Sequence, residues 1–100
     1  MTNTNNMMIT PLVASHIAYL INHADCAEIS MRMDGVSYLS EEYKRAQASW
    51  CLAVIRLGEY GIELPNLDRA KELWALVSDE RQRHATIVTR TLEDHIEVEA

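Results

Sequence analysis

Residues 40–61 read SEEYKRAQASWCLAVIRLGEYG, and their spacing decides the fold. Ser40 supplies a hydroxyl that can cap free backbone N–H groups, and Glu41 and Glu42 then sit against the positive end of a helix dipole. Tyr43, Ala46, Trp50, Val54, Leu57 and Gly61 recur at intervals of three and four, which is one helical face. Cys51, Leu52 and Ile55 add apolar groups on the other side. Between Trp50 and Leu57 the single polar residue is Arg56. A helix apolar around most of its circumference must be covered on several sides. It is either the centre of a bundle or, over part of its surface, an oligomer contact.

Outward from this helix, further helical faces appear. Upstream, Thr10-Pro11 is a helix start, because Thr caps and Pro at the first helical position loses no hydrogen bond. Val13, Ile17, Leu20 and Ala24 form one face, widened by Leu12, Tyr19 and Ile21, and predict a helix from Pro11 to about Cys26. Residues 1–9, rich in Asn and Thr, are expected to be a flexible tail, leaving 10–100 as one helical domain. Between the two helices Ile29, Met31 and Met33 alternate with polar residues, then Asp34-Gly35, then Val36 and Tyr38. Asp-Gly between alternating runs signals a two-residue hairpin turn, so a small β-hairpin at residues 29–39 is one expectation. A plain helix–helix loop is the other.

Downstream, Gly58 and Gly61 offer left-handed stops, and Asn66 or Asp68 can cap a third helix carrying Leu67, Ala70, Leu73, Trp74 and Val77. Ser78-Asp79-Glu80 resembles a fresh start. Residues 67–97 are therefore either two helices or one long one. Ala85, Val88, Leu92 and Ile96 keep helical spacing, although the β-branched run from Thr86 to Thr91 makes a strand the rival there. The fold expected is mainly α, a compact bundle of three to four helices.

One hundred residues make about one domain. At 48% hydrophobic, with three Gly and two Pro, the chain is neither disordered nor collagen-like. Its longest apolar run is the six residues from Trp50 to Ile55, against the roughly 20 needed by a membrane helix. The opening Met1 to Asn6 lacks the basic and apolar regions of a signal peptide, so a soluble, cytoplasmic protein with no membrane partner is expected. The formal net charge is −6, which opposes binding to nucleic acid. The last ten residues carry Glu93, Asp94, Glu97 and Glu99 and no base, and this acidic segment is either solvated or faces a basic surface on a partner.

His16, His23 and Cys26 fall at i, i+7 and i+10 on one side of the first helix, and Cys51, His84 and His95 are the remaining zinc ligands to consider. A structural zinc site wants four N/S ligands in short pairs, and only His23-x2-Cys26 has such spacing. Cys26 and Cys51 are expected to stay reduced. There is no G-x-S-x-G, H-E-x-x-H or P-loop, and His95-Ile96-Glu97 lacks the second half of a deaminase signature. The paired carboxylates Glu41/Glu42, Asp79/Glu80 and Glu93/Asp94 lie where helix starts or solvated faces explain them. The expectation is no cofactor, no metal and no enzyme activity. Arg81, Arg83, His84 and Arg90 form the one basic group. Arg83 and Arg90 share a helical face, with Asp79→Arg83 as an ordinary i,i+4 pair. Trp50 and Trp74 belong to apolar faces and are expected in the core, or as anchors if a face is uncovered.

An acidic helical domain without a reactive centre acts through its surface. In length, in its −6 charge, in the acidic stretch Glu93 to Glu99 and in its lack of motifs, the chain resembles phage-encoded anti-CRISPR proteins. That resemblance implies an inhibitor docked on a CRISPR surveillance complex or its nuclease, blocking target DNA, in the cytoplasm of a bacterial host. The partner expected is a basic nucleic-acid-binding complex. Candidate contact residues are Glu93, Asp94, Glu97, Glu99, Arg83 and Arg90. The alternative is a DNA-binding regulatory or antitoxin-like dimer using the Arg81–Arg90 face. A homodimer is a separate expectation, from the wide apolar surface of the first two helices.

Overall fold

The structure, a computed structural model, describes residues 10–99 apart from 34, 36 and 38, with side chains through Thr91. The expected tail at 1–9 lies outside the described residues. Four helices follow one another: α1 (Pro11–Arg32), α2 (Glu41–Glu59), α3 (Leu67–Leu76) and α4 (Asp79–Glu99). α2 packs against the other three, and α1 also packs on α4. The mainly-α bundle is what the apolar spacing requires. The apolar circumference of α2 has the predicted consequence, with Ala48, Cys51, Ala53, Val54 and Leu57 all buried.

α1 starts as expected: Thr10 Oγ1 accepts from the Val13 N–H at 3.1 Å, with Pro11 in the first turn. It then runs six residues beyond Cys26, through the first strand of the expected hairpin. The alternation at 29–33 belongs to a helix end. Residues two apart on a helix lie about 200° apart, so Ile29 points outward, 62% exposed, while Met31 turns half-buried toward the bundle. Ala27, buried, continues the inner face, and an Arg32–Glu28 pair at 3.0 Å braces the last turn. Of the rest of that expected hairpin, Asp34, Val36 and Tyr38 lie outside the described residues, while Gly35, at φ +86°, and Leu39 lie in turns.

α2 begins at Ser40, whose Oγ accepts from the Tyr43 N–H at 3.1 Å. It stops in a Schellman pattern. The Ile62 N–H reaches the Leu57 carbonyl at 3.2 Å, the Gly61 N–H reaches Gly58 at 3.0 Å, and Gly61 holds φ +82°. Gly58 is not a stop. It stays helical, and Leu67 packs so closely that a β-carbon there would meet its methyl groups at 3.0 Å.

Residues 67–97 form two helices. α3 ends at Val77, extended at φ −75° and ψ 137°, and α4 restarts from Ser78, whose carbonyl accepts from Gln82 N–H at 2.9 Å. Gln82 fastens the break by donating from Nε2 to the Trp74 and Val77 carbonyls at 3.1 and 3.3 Å. Neither Asn66 nor Asp68 is needed as a hydrogen-bonding cap, since Asn66 flanks α3 without a side-chain bond. The β-branched run is helical. Thr86 and Thr91 turn their hydroxyls back onto the carbonyls of Gln82 and Ile87, at 2.8 and 2.9 Å.

Two clusters make the core. Leu20 and Ala24 of α1 meet Ala53 and Leu57 of α2, with Trp50, Tyr60 and Ile62 packed around them. Ala48 and Leu52 of α2 meet Ala85 of α4, where the small side chains let the helices approach, with Trp74 and Val77 alongside. Both tryptophans therefore pack against the core clusters while staying half-buried.

Candidate functional site

The side chains with chemical potential distribute over three surfaces. The first is the start of α4. Arg81 does not point to solvent with Arg83 and Arg90. Its Nε and Nη2 each donate to a Glu41 carboxylate oxygen at 3.0 Å, joining the first turn of α2 to the first turn of α4. This hydrogen bonding to the Arg81 guanidinium holds the Glu41 carboxyl below its ordinary range. Arg45 adds a longer contact to Glu41 at 3.7 Å. Arg83, His84 and Arg90 are exposed on α4. The expected Asp79–Arg83 pair is not among the ion pairs of the described residues. The basic group is thus split, because the cross-helix carboxylate of Glu41 captures its first member.

A second surface is a cleft of about 260 Å³ where α1, α2 and α4 meet, lined by His23, Cys26 and Ser30, by Arg45 and Ser49, and by His84. Here the fold gathers part of the set of metal ligands considered from sequence. His23 Nε2 is buried without a hydrogen-bond partner, and burial, which disfavours the charged form, holds the imidazole pKa below its ordinary value. Among the described residues no three His, Cys, Asp or Glu side chains come together to hold a metal ion. His16 lies elsewhere, hydrogen-bonded through Nδ1 to the Tyr60 hydroxyl, with the rings edge-on at 5.4 Å between centroids. Cys26 is an exposed free thiol. Cys51 is a buried one, its pKa pushed up to about 11 by desolvation, and the two form no disulfide.

The third surface is a groove between α1 and α3, floored by α2. Its larger part, about 320 Å³, has Tyr43, Gln47 and Trp50 beneath, Met31 and Leu73 on facing walls, and Arg32, Arg69 and Glu28 at the rim. Glu28 and Trp50 also line the adjoining part, about 180 Å³, which runs on past Ile21, Asp25 and Val54 to Leu57 and Leu64. Sequence reasoning named Trp50 as an anchor if a face is left uncovered, and missed Tyr43, Met31 and Arg69. The missed signal is the polar Gln47 interrupting an otherwise apolar stripe at positions 43, 47, 50 and 54.

The side chains of Glu93, Asp94, His95, Glu97 and Glu99 lie outside the described residues, although α4 carries their backbone. Among the described residues, no helix is long and apolar enough to cross a membrane.

No family model matches the chain, and no solved structure matches it. Over 65 residues the chain is 34% identical to an alanine–tRNA ligase of Mycoplasmoides gallisepticum, a match covering 62% of this chain and 7% of that protein. The chain is thus similar to a short segment of a much longer relative.

Proposed function

We propose that this chain is a non-catalytic inhibitor domain that docks on a larger, basic, nucleic-acid-handling complex and blocks its access to target DNA, as the likeness to anti-CRISPR proteins implies. The observation that carries this reading is the fate of the positive charge. Of nine basic side chains, Arg32, Arg45, Arg56, Arg69 and Arg81 are paired with the chain's own carboxylates. With fifteen acids against nine bases the chain stays acidic overall, and Glu93, Asp94, Glu97 and Glu99 follow closely along the sequence of the last helix. Such a surface is steered toward a basic partner and away from phosphate. The DNA-binding alternative loses part of its footprint because Arg81 is engaged by Glu41, leaving Arg83 and Arg90. The reading implies residence in the cytoplasm of a bacterial host. It also includes self-association, supported by the exposed apolar side chains of α1.

The experiment is a gel-shift competition with a reconstituted CRISPR surveillance complex and labelled target duplex. Added chain should release the duplex in a dose-dependent way, and paired Glu93→Lys and Asp94→Lys substitutions should weaken that effect. Undiminished DNA binding with the chain in excess would overturn the proposal. Retention of duplex by the chain alone, falling steeply with salt, would replace it with the regulatory reading.

A further inference from the structure

The groove over α2 exists because α1 and α3 each pack on the central helix without extensive contact between themselves. It leaves Trp50 half-buried in its floor. Along its edge the crest of α1 carries Ile21, which also lines the groove, and then Ile29 and Met33 beyond the rim; the three are 45%, 62% and 57% exposed. A groove and an apolar ridge thus lie side by side on one molecule. Lone exposed apolar residues are ordinary, but a row of them beside an open aromatic floor marks a contact surface.

We propose that these are the two halves of one isologous contact, in which α1 of a second copy of this chain lies in the groove while α1 of the first fills the groove of the second. A two-fold axis requires that every residue pairing occur twice, so the surface must be complementary to itself. Three features meet that requirement. The first is charge. Arg32 and Arg69 rim one end of the groove and Asp25 lines the other. With the two-fold perpendicular to α1 the two α1 helices run antiparallel, and this is the orientation that sets Asp25 of each copy against the cationic end of the other. Length is the second feature. From Ile21 to Met33 the crest spans about 18 Å, and the floor from Tyr43 to Leu57 spans about 21 Å, at the helical rise per residue. The third is the freedom of the cations to re-pair. Arg32 with Glu28 and Arg69 with Glu72 are exposed pairs at 3.0 and 3.8 Å, which hold their partners weakly. The contact rests on the self-association part of the reading above and is separate from docking on a basic complex.

Sedimentation equilibrium of the full chain at micromolar concentration tests it. The expected mass is twice 11.4 kDa. Ile29→Glu, at a position exposed within one copy, should keep the helical circular dichroism spectrum and weaken association by at least about tenfold. Asp25→Arg should also weaken it, by placing like charges together, and adding Arg32→Asp to that variant should recover most of the loss. A monomer at every concentration would overturn the proposal, as would a dimer indifferent to Ile29→Glu and Asp25→Arg. A dimer that fails to release duplex in the competition refutes the docking reading alone. A monomer that does release it refutes this contact alone.

Discussion

Thr89 shows how burial and hydrogen bonding separate within one short run of α4. Its neighbours Thr86 and Thr91 satisfy their hydroxyls on carbonyls one turn back, whereas Thr89 is 1% exposed and its buried hydroxyl is unpartnered among the described residues. Val has nearly the same shape and no hydroxyl to desolvate. Thr89→Val should therefore raise stability by about 1 kcal/mol, read as a higher urea midpoint, and a lower midpoint would contradict the burial argument. Cys51 carries a second residue-scale expectation. Burial raises its folded-state pKa from 9.0 to about 11. Below 9.0 both states keep the proton. Above it the unfolded chain ionises first, so this contribution is lost as pH rises through about 11. The stability of the native chain should fall over that window more than that of a Cys51→Ala variant. A thiol reagent at about pH 8 should titrate Cys26 quickly and Cys51 only on unfolding. The sequence supported the reduced state of both cysteines and placed Cys51 on the apolar circumference of α2, whereas the exposure of Cys26 follows only from which side of α1 the bundle covers.

At the scale of elements, start signals were the most legible. Thr10-Pro11, Ser40-Glu-Glu and Ser78-Asp-Glu all mark real helix starts, since a cap is a local hydrogen bond that needs no tertiary partner. Stops were less so. α1 outruns its expected end because Ala27 finds a buried place against the bundle and Glu28 braces Arg32, neither of which an alternating pattern reveals. Of two glycines read as stops, only Gly61 is one. With φ +82° it closes the Schellman pattern, so Gly61→Ala should cost about 1 kcal/mol, measured by thermal or urea unfolding. An unchanged midpoint would mean the turn relaxes to negative φ. At Gly58 the close approach of Leu67 comes from a different helix, and no local rule anticipates it.

For the whole molecule, the central placement of α2 has a dynamic consequence. Among the described residues it holds most of the buried side chains and touches every other helix, whereas α3 is ten residues long with only Ala70 buried. Amide hydrogen exchange should be slowest from Ala48 to Leu57 and markedly faster in α3, which opens without disrupting the core. Slowest exchange in α3 would show that the bundle is organised otherwise. The groove belongs to this scale too. Its floor was visible as a helical stripe, but the gap above it follows from which helices meet and which do not. By itself, the sequence determined the helical class, the three capped starts and the centrality of α2, because caps and apolar periodicity act over a single turn or face. Only the tertiary structure decided that Arg81 belongs to Glu41, that His23, Cys26 and His84 share a cleft, and that Trp50 floors an open groove. Those arrangements join residues far apart along the chain, and their partners are chosen by packing rather than by spacing.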